Sequence, residues 1–140
     1  MEAGYATGLI KQYDRGAVRA ANWRIKEWDY YLIASDFAAL AVTVADLGYA
    51  GMDSISLMDF EEKTYHTATR LTAFPLGKRG LPPTSAEGVV RAQGARYELT
   101  FRKTGSQRHL YGHMYDFNGM EKPLLFDVVL HEPPGDSMVI

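Results

Sequence analysis

Apolar and polar residues alternate along much of the chain with a period of two. Tyr97, Leu99 and Phe101 fall on one side of a strand, and Arg96, Glu98, Thr100 and Arg102 on the other, as in a strand with one dry and one wet face. Leu124, Phe126, Val128 and Leu130 form a similar inward row. The opposite row, Leu125, Asp127, Val129 and His131, is mixed, so part of that face is expected to be covered. Val, Thr, Ile and aromatic residues gather in blocks of about ten, which favours strands. Turn chemistry separates the blocks at Ala34-Ser35-Asp36, Asp46-Leu47-Gly48, Gly94, Gly105-Ser106 and Asn118-Gly119. Eight strands are predicted, roughly at 23–34, 37–46, 49–60, 63–74, 87–93, 95–103, 107–117 and 123–131. Most connections are short, which suits antiparallel hairpins.

The first half alternates less cleanly. Trp28-Asp29-Tyr30-Tyr31-Leu32-Ile33 is apolar in places on both faces, and Phe37–Asp46 carries Ala on both; such small side chains leave room for a close neighbour or a cavity. A helix competes over 17–28, where Val18, Ala21, Ile25 and Trp28 stand at helical spacing. Residues 1–21 are read as an N-terminal arm, with a short helix as the other form, and 22–140 as the β meander of a single domain. Pro75-Leu76-Gly77-Lys78-Arg79-Gly80-Leu81-Pro82-Pro83-Thr84 excludes regular structure by its prolines and glycines. A loop of that length is either functional or a crossover between two halves of the sheet. The predicted fold is all-β: an antiparallel up-and-down meander of about eight strands, closed into a barrel or strongly curled. Strands this long reach ~25–40 Å at ~3.3 Å per residue, the scale of a calyx-type barrel.

Composition narrows the function classes. Fifteen basic and seventeen acidic residues give a net charge of −2, which disfavours a nucleic-acid binder working through a basic face. With no cysteine, disulfide frameworks, thiolate metal sites and Cys nucleophiles are excluded. The longest apolar run is the six residues Phe37–Val42, far short of the ~20 that a membrane helix needs. No charged-then-apolar leader opens the sequence, so a cytoplasmic location is expected. Dinucleotide, phosphate-loop and GxSxG signatures are absent.

Several side chains carry candidate chemistry. His109, Tyr111, His113, Tyr115 and Phe117 share one strand face of aromatic bodies with polar tips. Lining a cavity, that face would set donors and acceptors over an apolar wall; otherwise it is an amphipathic surface. His109 and His113 stand ~13 Å apart in an extended strand, too far to chelate one zinc ion, so neither a metal nor any other cofactor is expected. Thr64, His66, Ala68, Arg70, Thr72 and Phe74 line one strand face. Facing inward, Arg70 would hold a carboxylate ligand as a fork; facing outward, it is a solvated charge. Asp53 shares a face with Gly51, Ile55 and Leu57, where a carboxyl could serve as a general acid; the ordinary alternative is an Asp that bonds a nearby turn. If 23–33 is one continuous strand, Trp23 and Trp28 fall on opposite faces, one packed inside and one covering an exterior surface.

Three blocks resemble a bacterial family, the DUF2804 proteins: Trp23-Arg24-Ile25-Lys26-Glu27-Trp28-Asp29-Tyr30-Tyr31-Leu32-Ile33, Phe74-Pro75-Leu76-Gly77-Lys78, and His131-Glu132-Pro133-Pro134-Gly135-Asp136-Ser137-Met138-Val139-Ile140. They stand in the family's order and span nearly the whole chain. More distantly the family is similar to calycin-like proteins related to carotenoid 1,2-hydratase, built from two lipocalin-like barrels. That resemblance implies a β-barrel and an apolar ligand, and it transfers no catalytic residue. It also implies that the sequence corresponds to the N-terminal half of a longer two-barrel architecture. The apolar ending Met138-Val139-Ile140 would then leave an unpaired edge for a second copy or a missing half. The expected function is binding of a hydrophobic or amphipathic small molecule, lipid- or isoprenoid-like, with His66, Arg70, His109, Tyr111, His113 and Tyr115 as candidate contacts. The alternatives are a cofactor-free hydratase or isomerase acting on an apolar alkene, using groups such as Asp53, His66 or His113, and a structural half that completes a larger assembly.

Overall fold

A computed structural model describes Thr7, Gly8, Ile10, residues 12–119, residues 122–133 and Gly135. The described residues form eight antiparallel strands: β1 (Glu27–Ala34), β2 (Ala38–Asp46), β3 (Ala50–Asp59), β4 (Thr64–Ala73), β5 (Gly88–Gly94), β6 (Tyr97–Thr104), β7 (Gln107–Met114) and β8 (Leu124–His131). The turn residues act locally as their chemistry dictates. Ser35 Oγ accepts from Ala38 N at 3.2 Å and Asp59 Oδ1 from Glu62 N at 2.9 Å.

The strands make two four-stranded sheets, β1-β2-β3-β4 and β5-β6-β7-β8. This corrects the expected closed barrel. Strands β4 and β5 do not pair, because the proline- and glycine-rich stretch after β4 carries the chain from one sheet to the other. The two inner faces share one core. Val42, Val44, Ile55 and Ala68 come from the first sheet, and Val90, Ala92, Leu99, Phe101, Leu110 and Met114 from the second. Edge-to-face contact between Tyr31 and Phe101, with ring centroids 5.1 Å apart, joins β1 to β6. The rows Tyr97/Leu99/Phe101 and Leu124/Phe126/Leu130 face this core as expected, and Val128 shares the half-buried parity of β8.

Four readings change. The helical spacing over 17–28 yields no α-helix; a 3-10 turn at Arg15–Ala17, capped by Asp14, is the only helical element among the described residues. Strand β1 begins at Glu27 rather than near 23, because Arg24 N closes a turn onto Ala21 O at 2.8 Å. Trp23 and Trp28 consequently do not divide between inside and outside: they are 57% and 62% exposed. Thr100, on the expected wet row, is buried between Arg91 and Tyr111 in register. The ending Met138-Val139-Ile140 lies outside the described residues.

Candidate functional site

The Pro/Gly crossover is built into the fold by charge. Asp53, fully buried on the inner face of β3, receives Arg79 Nη2 on both carboxylate oxygens at 2.6 and 2.7 Å and the Tyr97 hydroxyl at 2.7 Å. Arg79 Nη1 also donates to Ala45 O at 3.1 Å. A Cβ on Gly51 would lie 2.6 Å from that guanidinium, so the absence of a side chain two residues before Asp53 opens the path for Arg79. Burial, then the bond to Asp53 and its charge, pushes the Tyr97 hydroxyl up to about 12, above the ordinary value near 10. A raised folded-state pKa stabilises fully below the unfolded value, and this contribution is lost as pH rises through the folded one. Chain stability should therefore fall between pH ~10 and ~12. Urea unfolding across that range should give a flatter profile for Tyr97→Phe than for the parent; identical profiles would contradict the buried bond.

The loop is clamped again at Gly77. Its N–H donates to Asp46 Oδ2 at 2.7 Å, while Asp46 Oδ1 accepts from Gly48 N at 2.9 Å. Gly77 has φ +86°, and a Cβ there would meet Arg15 Nε at 2.3 Å. Arg15 crosses this glycine to pair with Glu27 at the start of β1, and the Tyr13 hydroxyl donates to the same carboxylate at 2.6 Å.

Beyond these clamps, the segment Leu81–Ser85 faces β1 across a cleft of about 330 Å³. Trp28, Leu81, Pro82 and Pro83 give it an apolar wall; Lys26, Glu27, Asp29, Thr84 and Ser85 give it polar groups. Asp29 lies on the inward parity of β1 with Tyr31 and Ile33. Burial raises its carboxyl pKa, against the opposing charge of Arg108 and a hydrogen bond from Tyr31. Arg108 is fixed on four sides: Nη1 to the Tyr31 hydroxyl at 2.8 Å, Nη2 to Ser85 O at 2.9 Å, Nε to Glu132 at 2.6 Å, and its guanidinium over the Tyr31 ring at 5.2 Å. Lys103 also pairs with Glu132; hydrogen bonds from Arg108 and Lys103 hold the Glu132 carboxyl below its usual range. The cleft thus combines an apolar wall, a desolvated carboxyl and a backbone wall tied down by Arg108.

The residues singled out in the sequence do not converge on this cleft. Asp53 lies inside, held by Arg79 and Tyr97. His66 and Arg70 share the inner parity of β4 but bond main chain: His66 Nε2 with Phe117 O, and Arg70 Nη2 with Tyr115 O at 2.9 Å. Together they pin the segment after β7 to the first sheet. His109, Tyr111 and His113 lie on the outer face of the second sheet. There His109 Nε2 pairs with Asp127 at 2.7 Å and stacks against Tyr111, and Tyr115 packs on His113 beside Arg96. Tyr111 and His113 border a shallow outer hollow with Leu125 and Asp127. Among the described residues, no three His, Asp or Glu side chains come together to hold a metal ion.

Sequence reading missed Asp29, Arg79 and Arg108. Asp29 had a signal, because its parity with Tyr31 and Ile33 already places it inward. Arg79 had none, since a loop without periodicity does not say which buried carboxylate it will reach.

The family model described as domain of unknown function (DUF2804) matches residues 1–140. No curated protein and no solved structure matches the chain.

Proposed function

We propose, for a chain that belongs to the DUF2804 family, the binding of an amphipathic small molecule in the cleft between β1 and Leu81–Ser85. The observation that carries this reading is the desolvated Asp29 carboxyl beside the apolar wall of Trp28, Leu81, Pro82 and Pro83. Pockets of roughly 300–1,000 Å³ with a few placed polar groups are the usual form of such sites. An alkyl or isoprenoid chain covers the wall, and a hydroxyl donates to Asp29.

A ten-carbon isoprenoid alcohol titrated against intrinsic fluorescence in a Trp23→Phe background should shift Trp28 emission saturably, with Kd below about 1 mM. Asp29→Asn should weaken binding roughly tenfold, or ~1.4 kcal/mol. The same substitution should raise the thermal midpoint at neutral pH. A carboxyl with a raised folded-state pKa loses stability as pH rises through its titration, and Asn escapes that loss. A linear, unsaturable response would end the proposal.

A second reading rests on the same side chain. A carboxyl whose pKa burial raises, set beside an apolar wall, is the kind of group that supplies the proton in cofactor-free alkene hydration. Formation of the alcohol from the corresponding alkene, abolished by Asp29→Asn, would favour it over simple binding.

A further inference from the structure

Three connections meet at one end of the first sheet, where Glu27, Asp46, Gly51 and Thr72 stand abreast in the register. They are the segment entering β1, the β2–β3 turn and the segment leaving β4. Their main chains are in contact. A Cβ on Gly48 would lie 2.5 Å from Trp23 O, Phe74 N donates to Tyr49 O at 3.0 Å, and Leu76 N donates to Gly48 O at 3.1 Å. Each connection brings an aromatic ring to the surface: Trp23, Tyr49 and Phe74 are 57%, 49% and 69% exposed. Phe74 is also held at φ +49°, a left-handed conformation that a bulky residue adopts only under constraint. The fold strains this residue and leaves its ring in water.

Cations accompany the rings. The Arg24 guanidinium lies over the Trp23 ring at 5.9 Å and Lys26 Nζ over the Tyr49 ring at 5.3 Å; Lys78 is exposed in the third connection. No acidic residue occurs within 21–26, 47–52 or 71–80. The acids next to these segments in sequence, Glu27 and Asp46, are committed to Arg15 and to two backbone amides. The opposite end of the same sheet also exposes rings, Phe37 and Phe60, but it carries Asp36, Asp59, Glu61 and Glu62 against Lys63, all exposed. The sheet is therefore polarised, with a basic aromatic end and an acidic one.

A Trp, a Tyr and a Phe interleaved with unanswered cations match the chemistry of an anionic bilayer surface: the rings enter the headgroup layer and the cations meet its phosphates. The rings line neither the cleft nor the outer hollow, so neither cavity offers them as a groove in which a nucleic-acid strand could stack. We propose that the basic end of the first sheet docks on an anionic lipid surface, with the acidic end turned away by repulsion. Lys26 also borders the cleft, but the variants below substitute no cleft residue, so failure here leaves the cleft reading standing.

Flotation of the full chain with vesicles of phosphatidylcholine carrying about 30% phosphatidylserine tests it, against phosphatidylcholine alone. The expected result is a preference for the anionic vesicles of roughly tenfold or more, which fades as salt rises. Each cation near such a surface strengthens binding roughly fivefold, so Arg24→Glu with Lys78→Glu should weaken it by about fiftyfold or more. Phe74→Asn should weaken it about tenfold through the lost apolar contact, while the thermal midpoint holds or rises, because Asn accepts the left-handed conformation better than Phe. Equal binding to both kinds of vesicle, or anionic binding that survives both variants, overturns the proposal. So does a fall in the midpoint of Phe74→Asn, since the ring would then serve the fold. Binding to a single-stranded oligonucleotide in place of vesicles would assign the rings to base stacking and overturn it as well.

Discussion

Replacing Arg79 by Ala should cost the chain about 3–5 kcal/mol of unfolding free energy, the penalty for stranding one member of a buried ion pair. Asp53 is completely buried, and Arg79 meets both of its oxygens; the Tyr97 hydroxyl alone cannot compensate a carboxylate in that position. Against a total stability of ~5–15 kcal/mol, the loss would take a third or more of what holds the two sheets together. Arg79→Lys should fall between the parent and Ala, since an ammonium can replace the charge but cannot also reach Ala45 O through a fork. The joint replacement Asp53→Leu with Arg79→Met should recover most of the loss, because an apolar pair of similar volume avoids the desolvation of both ions. Urea unfolding of these proteins together with the single variants Asp53→Leu and Arg79→Met measures this, with the non-additivity of the pair as the diagnostic quantity. A loss below ~1 kcal/mol for Arg79→Ala would be the behaviour of an exposed pair and would contradict the burial of Asp53.

What the sequence made legible, and what it did not, divides along a physical line. Alternation specifies which side of a strand is dry, and the inward rows of β6 and β8 were readable from it residue by residue. Alternation does not specify neighbours. Whether β4 meets β5 depends on where the Pro75–Thr84 stretch leads, and that depends on Arg79 finding Asp53 and Gly77 finding Asp46. Both are contacts between a loop and a strand more than twenty residues away in sequence. The barrel expectation failed at this point, while the strand assignments did not. The same reasoning covers His66 and Arg70. Their polarity suggested a ligand or solvent, but their partners are the carbonyls of Phe117 and Tyr115, groups that every sequence carries and no sequence advertises. Ala39, Ala41 and Ala45 illustrate the reverse case. Their small size signalled room for a close neighbour, and the register sets them on the outer face beside Ala34, Leu32 and Trp28 of β1, where they are at most 6% exposed, so the neighbouring strands already fill that room.

Asp46→Ala should be the second most damaging substitution, at about 2–4 kcal/mol, because it removes a charged acceptor from two backbone amides. The amide of Gly48 is buried in the β2–β3 turn and bonds Asp46 Oδ1; that of Gly77 is only half-buried, so the cost falls short of two fully buried bonds. Asp46→Asn should not restore the parent. An amide side chain offers one acceptor oxygen, and its NH2 would face the second N–H donor to donor. The consequence extends to the cleft. Gly77 lies four residues before Leu81, and its release frees the segment that forms the apolar wall. Binding would then require that segment to be ordered again, so affinity for the isoprenoid alcohol should drop in Asp46→Ala although every cleft side chain is intact. Amide exchange measures the cause directly: Gly48 and Gly77 should be protected in the parent and exchange at least a hundredfold faster in the variant. If binding weakens while those two amides keep their protection, the loop clamp is not what shapes the site.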